Sequence, residues 1–549
     1  MGEMNAAELL VQCLENEEVE YIFGLPGEEN LHILEALRNS SIKFITTRHE
    51  QGAAFMADVY GRLTGKAGVC LSTLGPGATN LMTGVADANL DGAPLVAITG
   101  QVGTDRMHIE SHQYLDLVTM FSAVTKWNTQ IVRPTNTPEI IRKAFKIAQA
   151  EKPGAVHIDL PENIAAMKVG HCFPLNKDSR NPTYASFRSF NIAAECISKA
   201  KNPLILTGNG AIRANAGEAL TEFATTLNIP VVNTFMGKGA IPYTHPLALW
   251  TVGLQQRDHI SCAFDKTDLV IAIGYDLIEY SPKKWNPESN IPIIHVGATP
   301  AEIDSSYIPL VEVVGDIADS LDNIVKRADR QGKPTPEAGE LRVEIREEYE
   351  RYANDAGFPI KPQKIIYDLR QVMGPEDIVI SDVGAHKMWM ARHYHGDRPN
   401  TCIISNGFAA MGIAIPGALA AKLVHPQKRV VAVTGDGGFM MNCQELETAL
   451  RVGTPFVTLI FNDNGYGLIE WKQINQFGQS AFVDFTNPNF VKFAESMGLK
   501  GYRVKSAEDL IPTLKMALEQ DVPSVIDCPV DYKENLRFSK TAGDLHCPI

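Results

Sequence analysis

Short β-branched runs alternate with helical stretches along almost the whole chain, and no other feature narrows the fold as much. KFITT (43–47), AGVCLST (67–73), PLVAITG (94–100) and GAVHIDL (154–160) form a first series of largely apolar runs. Strands that read this way are buried on both faces, as in parallel sheets, whose long crossovers are helices that cover the sheet. A second series follows, with NPLILTGNGAI (202–212), IPVVNT, DLVIAIG, IPIIHVG and LVEVVGD. A third starts near IKPQKIIYDLRQVM and ends at PSVIDCPV (523–530).

Between the first two series, FPLNKDSRNPTYASF (173–187) is polar, has two prolines and no periodicity, and reads as a linker. A highly charged helix, roughly 336–354, closes the middle series. The expected architecture is α/β, with three doubly wound parallel-sheet domains over 1–175, 188–335 and 356–530 and a polar tail over 531–549. A length of 549 residues also suggests three domains.

A formal net charge of −14 argues against nucleic acid or an anionic membrane as partner. The nine cysteines include no C-x-x-C pair, so they are expected as small buried thiols in a reducing compartment. The acidic start MGEMNAAELLVQCLENEEVE has no apolar core region, so no signal peptide is expected. No apolar stretch approaches the ~18 residues of a membrane span. A cytoplasmic protein is the expectation.

Three motifs are near-misses. RHEQGA (48–53) has Ala53 where a zincin helix needs its second histidine. GRLTGKAG (61–68) has misplaced glycines and Ala67 where a P-loop needs Ser or Thr. GNGAIR carries Arg213 in place of the third glycine of a dinucleotide fingerprint. No G-x-S-x-G elbow occurs.

VVAVTGDGGF (430–439) is a buried strand that stops on Gly-Asp-Gly-Gly. A lone Gly-Asp-Gly suits a tight strand-to-helix turn with a solvated acid, so the surroundings decide. FMMNCQELETALRVG follows, with Asn442 as an N-cap, Glu445 completing a capping box, and an apolar stripe of Leu446, Ala449 and Leu450. Gly453 is the expected C′ residue. PFVTLIF (455–461) is then a strand ending on NDNGYG. A helix of about a dozen residues runs back ~18 Å and a seven-residue strand returns ~23 Å. Asp436 and Asp463, 27 residues apart, are therefore expected at the carboxyl ends of parallel strands, where open α/β sheets bind ligands. Two adjacent carboxylates repel unless a cation joins them, and the glycine-rich turn offers N–H groups to an anion. Together they imply a divalent cation carrying a phosphate, for which Mg²⁺ is best suited.

G-D-G followed some 27 residues later by N-D-N resembles the thiamine-diphosphate signature of the pyruvate-decarboxylase-like superfamily. The resemblance implies that Asp436 and Asp463 bind Mg²⁺ with the carbonyl of Gly465, while Gly437 and Gly438 donate to the diphosphate. Such a cofactor also needs a desolvated carboxyl group to share a proton with the pyrimidine ring. Glu50 is the candidate, although in isolation it reads equally well as a first-turn glutamate satisfying a helix dipole.

RHEQGAAFMADVYGRLTGKAGVCLSTLGPGATNLMTGVADANLDGAPLVAITGQ is similar, nearly residue for residue, to the pyrimidine-binding domain of acetolactate synthases. The likeness covers essentially the whole chain. It implies Glu50 as the activating acid and places the Gly75–Asn80 loop, with Pro76 and Asn80, against the pyrimidine. Ala385 and His386 of SDVGAHKMWMAR would lie over the diphosphate, and Met411 of NGFAAMGIAIPGA between the two rings. Without the family, Met411 would read as ordinary core.

Members differ in what quenches the hydroxyethyl carbanion or enamine left when a 2-oxo acid loses CO₂. Decarboxylases carry a His-His pair; here His112 is followed by Gln113, then Phe121 and TKW, as in acetolactate synthases of the catabolic type. The resemblance therefore implies condensation of two pyruvates to 2-acetolactate with release of CO₂, the alternative being a 2-oxo-acid decarboxylase. Glu50 and Gln113 would be catalytic, with His112, Gln113, Phe121, Leu468, Ile469 and Trp471 shaping the substrate pocket.

IGYDLIEYSPKKWNP (273–287) stands where anabolic synthases carry an FAD-holding R-F-D-D-R stretch, which tips the balance toward an enzyme without FAD. LPGEEN (25–30) departs from both types by placing Glu28 and Glu29 at usually small or apolar positions. From another class, a non-catalytic nucleotide-binding regulator has no reason to keep Glu50, Asp436 and Asp463 together. The family also implies a homodimer or homotetramer with active sites at the subunit interface.

Overall fold

The computed structural model describes residues 4–177, 183–254, 260–330 and 336–535. Part of the expected linker (178–182) and most of the expected tail (536–549) lie outside the described residues.

Three six-stranded sheets form, and every strand pairs in parallel with its neighbours. The first contains β1 (Tyr21–Gly24), β2 (Lys43–Thr46), β3 (Gly68–Ser72), β4 (Leu95–Gln101), β5 (Trp127–Gln130) and β6 (Ala155–Pro161). Its order is β2-β1-β3-β4-β6-β5. The second contains β7 (Pro203–Thr207), β8 (Val231–Asn233), β9 (Ala248–Thr251), β10 (Leu269–Ile273), β11 (Ile293–Gly297) and β12 (Pro309–Val314). Read from β9, its order β9-β8-β7-β10-β11-β12 is that of dinucleotide-binding sheets. The third contains β13 (Ile378–Ser381), β14 (Cys402–Ile404), β15 (Val430–Gly435), β16 (Val457–Asn462), β17 (Lys500–Arg503) and β18 (Ser524–Pro529). Its order, β14-β13-β15-β16-β18-β17, repeats that of the first sheet strand for strand. The α/β architecture expected from the alternating pattern is thus present in all three sheets. No described helix is long and apolar enough to cross a membrane.

The chain divides into two compact units. One comprises Met1–Arg180, Gly407–Gln427 and Met441–Pro455, and so holds the first sheet. The other comprises Asn181–Asn406, Lys428–Met440 and Phe456–Ile549, and holds the second and third sheets.

In the first unit the helix Glu50–Thr64 is buried from Gly52 to Gly61, and its glycines and alanines let neighbouring elements come close. Gly84 of the helix Pro76–Asp91 approaches so closely that a Cβ there would lie 2.5 Å from that of Ala54. The same two helices share one buried guanidinium. Arg62 donates to Asp58 (2.6 Å), Asp87 (3.1 Å) and Asp91 (2.7 Å). Three carboxylates around one cation leave spare acceptor atoms, and these take the backbone N–H groups of Gly407 and Ala410. The loop leading to Met411 is thereby tied to the helix Pro76–Asp91.

Two sequence expectations are corrected here. Asn442 is not an N-cap: it ends the helix Asp436–Asn442, and a new helix, Glu445–Val452, starts after Gln444 without a side-chain cap. The Asn442 side chain instead donates to Gln51 and to the carbonyl of Gly412, while Glu445 is engaged elsewhere. Gly453 does end the second helix, at φ 69°. Among the cysteines, seven are free thiols and five of those are buried, but Cys262 is disulfide-bonded, against the expectation of thiols throughout.

Candidate active site

In the first unit the chain leaves β2 through Thr47, Arg48 and His49 and enters a helix at Glu50. His49 keeps extended backbone and caps the helix, its Nδ1 accepting from the Gln51 amide at 3.1 Å. Glu50, the first helical residue, is only 8% exposed. Its Oε2 accepts a hydrogen bond from the Asn80 side chain at 3.0 Å. A Cβ on Gly77 would stand 3.3 Å from Glu50 Oε1, so the Gly-Pro-Gly loop comes right up to the carboxyl group.

Gly75 is required twice over: its φ is +51°, and a Cβ there would lie 2.7 Å from the Gln113 carbonyl. Gln113 itself adopts φ 58°, unusual for a side-chain-bearing residue, so the loop holds it in a left-handed turn beside Gly75. A residue that sequence reading took for a helix cap supports the whole turn. Glu445 is fully buried and accepts from the amides of Arg48 (3.0 Å) and His49 (2.9 Å) and from the Thr448 hydroxyl (2.7 Å). Burial pushes its pKa up to about 7, partly offset by those donors.

In the second unit, β13, β15 and β16 end side by side, and acids follow each of them. Asp382 follows β13, is buried, and accepts from the Val383 amide and the Thr434 hydroxyl. Asp436 opens a helix directly after β15 and is 1% exposed. One of its oxygens accepts from the Gly437 amide (2.9 Å), the other from the Asn464 amide and the Asn487 side chain (2.7 Å each). Asp463 follows β16. Burial, and then the charge of Asp436, raise its pKa well above the carboxylate range. Burial likewise raises Asp436. The two acids thus stand close enough for each to hold back the ionisation of the other.

Gly437 and Gly438 leave little room. A Cβ on Gly437 would strike the Tyr466 ring at 2.8 Å, and one on Gly438 would lie 3.0 Å from the Thr434 hydroxyl. Asn464 holds φ 58°, and the turn through Gly465 is pinned by bonds from Tyr466 N to the Val483 carbonyl and from Phe485 N to the Asn464 carbonyl. Ala385 and His386 start the next helix after β13, and both are buried. Burial drives the His386 pKa down to about 3, so the ring is neutral, and its Nε2 has no hydrogen-bond partner.

Three sequence profiles match the chain. "Thiamine pyrophosphate enzyme, N-terminal TPP binding domain" covers residues 4–120, the "central domain" 190–324 and the "C-terminal TPP binding domain" 382–528. Full-length relatives agree. A "Probable acetolactate synthase large subunit" of Methanococcus aeolicus is 37% identical over 96% of this chain and 92% of its own. The "Acetolactate synthase" of Bacillus subtilis is 35% identical, with 97% and 94% covered. The "Acetolactate synthase, catabolic" of Raoultella terrigena is 34% identical, with 97% and 96% covered. The chain belongs to the acetolactate synthase family of thiamine pyrophosphate enzymes.

As a member of that family it uses thiamine diphosphate, and residues in each unit suit a part of that molecule. The first unit supplies a buried carboxyl group whose oxygen is oriented by one amide, next to a loop kept narrow by glycines. The second supplies backbone N–H groups at a helix start beside Asp436, and a neutral histidine with an unused nitrogen. No cluster of three or more Asp, Glu, His or Cys side chains suited to a metal occurs among the described residues. A cation at the acid pair would therefore complete its shell from backbone oxygen, water and a bound anion, which is how Mg²⁺–phosphate sites are built.

The remaining positions expected in this acetolactate synthase family member are dispersed in character. His112 and Gln113 are exposed, as is Pro76, while Asn80 and Met411 are half-buried. Phe121 is fully buried and stacked 3.9 Å from the His157 ring, so its contribution to a pocket wall is support from within the core. Trp471 is 6% exposed, Leu468 is partly buried against the core of the third sheet, and Ile469 is 47% exposed. Sequence reading missed Glu445, Asp382 and Asn487. Asn487 carries no motif signal, since it acts from a loop after Val483 that has no periodicity.

Proposed function

We propose that this enzyme, holding thiamine diphosphate and Mg²⁺, condenses two molecules of pyruvate to 2-acetolactate and releases CO₂. Likeness to named acetolactate synthases along nearly the whole length of both chains carries this reading. Gln113 in place of a second histidine supports it over the decarboxylase alternative, because an amide offers no proton at neutral pH to quench a carbanion as acetaldehyde.

Bound thiamine diphosphate supplies a carbon nucleophile and an electron sink for decarboxylation. Glu50 would hold the proton that the pyrimidine N1′ shares, its carboxyl kept desolvated and aimed by Asn80. Asp436 and Asp463, with the Gly465 carbonyl, would hold the Mg²⁺, and the charge of the ion removes the repulsion between the two acids. The amides of Gly437 and Gly438 and the helix start at Asp436 would receive the diphosphate. Ala385 and His386 would close over it, and Met411 would separate the rings. Gln113 and His112 would position the acceptor pyruvate by hydrogen bonds, while Phe121, Leu468, Ile469 and Trp471 would keep the reacting face dry.

The second sheet supports a reading without FAD. In sheets of that strand order a dinucleotide's pyrophosphate sits on the glycine turn after the first strand, here Gly208–Gly210 after β7. That turn already holds a carboxyl group of this chain: buried Glu279 accepts twice from the Asn209 amide (3.0 and 3.1 Å) and once from the Thr234 hydroxyl. An enzyme without flavin follows from this reading.

The enzyme is read as a cytoplasmic homodimer or homotetramer with its active sites at subunit interfaces. Ile469 and the fully exposed Phe482, apolar side chains near the Asp463–Gly465 turn, support a second copy there. Product analysis tests the whole reading. Purified enzyme with pyruvate, thiamine diphosphate and Mg²⁺ should form acetolactate, detected as acetoin after acid treatment. Acetaldehyde as the sole product would overturn it in favour of the decarboxylase.

A further inference from the structure

Beyond β18 the described chain runs through Asp531 to Asn535, the root of what sequence reading took for a polar tail. Two of its polar side chains are engaged with unit-two neighbours: Asn535 accepts from the Trp389 indole at 2.6 Å, and Glu534 from Gln363. Tyr532 is placed differently. Its ring packs over Gly467, where a Cβ would lie 3.1 Å from the ring and 2.5 Å from an Asp463 carboxylate oxygen. Ring and carboxylate therefore meet across a residue kept free of a side chain. The phenol oxygen is buried and has no hydrogen-bond partner. The His386 backbone amide leans toward it without completing a bond, so the hydroxyl proton has no acceptor.

A buried hydroxyl left unpaired is costly unless something arrives to use it. It is not alone. His386 Nε2, in the same site, is also buried without a partner. Glycines surround the histidine: a Cβ on Gly384 would stand 2.9 Å from the ring, and one on Gly435 3.3 Å. Both unpaired groups thus sit beside the acid pair, at the carboxyl ends of β13, β15 and β16, where backbone rather than side chains forms the walls.

We propose that Tyr532 binds the cofactor's diphosphate, its hydroxyl donating to a phosphate oxygen beside the Mg²⁺ carboxylates. The inference rests on the thiamine diphosphate reading of this site and extends it to the segment after the last strand. An anion is the acceptor the geometry favours, because a cation would meet the hydroxyl's proton.

Tyr532→Phe removes the hydroxyl and keeps the ring on Gly467. Binding is read by calorimetric titration of cofactor-free enzyme with thiamine diphosphate and with thiamine, each in the presence of Mg²⁺. The variant should bind thiamine diphosphate at least tenfold more weakly than wild type and bind thiamine equally well, with its cofactor-free melting temperature unchanged or raised. Equal diphosphate affinity in variant and wild type overturns the assignment of Tyr532 while leaving the site itself intact. Failure of wild type to bind thiamine diphosphate would instead refute the reading on which it rests. Should Tyr532→Phe not fold, a crystal structure of the wild-type holoenzyme decides: a phenol oxygen within hydrogen-bond distance of a phosphate oxygen supports the role, and one bonded only to protein excludes it.

Discussion

Asn80 donates its side-chain amide to Oε2 of Glu50 across 3.0 Å, and both residues stand where a strand of the first sheet gives way to a helix. One carboxyl oxygen is thereby fixed while the other faces the space that Gly77 leaves open. A group held in this way is fixed in orientation, as the proton role proposed for it requires.

Glu50→Gln should preserve shape and the Asn80 contact but abolish the exchangeable proton. Turnover is expected to fall about 10²–10⁴-fold, the range for a positioned acid or base. Thermal shift on adding thiamine diphosphate and Mg²⁺ should remain close to that of wild type. Undiminished turnover would exclude the assigned proton role.

Asp436→Ala removes the acceptor of three hydrogen bonds and half of the acid pair. Cofactor retention should weaken by orders of magnitude, and Mg²⁺ should no longer tighten binding. Calorimetric titration with and without the metal checks this. Chelation of wild type with EDTA should reproduce the loss of activity, and Mg²⁺ should restore it.

Glu445→Gln addresses pH. Burial raises Glu445 from about 4.5 to about 7, so between those values the native state binds more protons than the unfolded chain. Stability from this group is present at low pH and is lost as pH rises through that window. The Gln variant still accepts from Arg48 and His49 and does not titrate. Chemical denaturation at pH 5 and pH 8 should show a smaller difference for the variant than for wild type.

Arg62→Met would strand Asp58, Asp87 and Asp91, all three buried, without their cation. Breaking a buried ion pair from one side costs roughly 3–5 kcal/mol. A drop of that order in urea unfolding is expected, along with weakened cofactor binding through the loop that leads to Met411. A neutral outcome would mean that the carboxylates take up protons at no cost.

The sequence carried the sheets well because β-branched runs bounded by turn residues, such as 430–435 and 457–462, are a local signal. It also carried Asp436 and Asp463, since strand-end position follows from counting residues along strand, helix and strand. What it could not carry was contact at a distance. Glu445 looked like half of a capping box with Asn442, yet its acceptors serve amides nearly 400 residues earlier, and no spacing rule reports such a partner. Tyr532 and Asn487 were hidden for the same reason: each matters only for where its loop returns. Cys262 was read from composition alone, which is blind to pairing.

The first and third sheets share one winding, strand for strand. One strand order, used twice, therefore presents rim turns at matching stations. Where one copy has Gly-Pro-Gly after β3, the other has Gly-Asp-Gly after β15, and where one has Gln-Val-Gly at the end of β4, the other has Asn-Asp-Asn at the end of β16. Changes confined to those turns can redirect which molecule is grasped while the interior tiling is left alone, so new specificities are open to this enzyme at little structural risk.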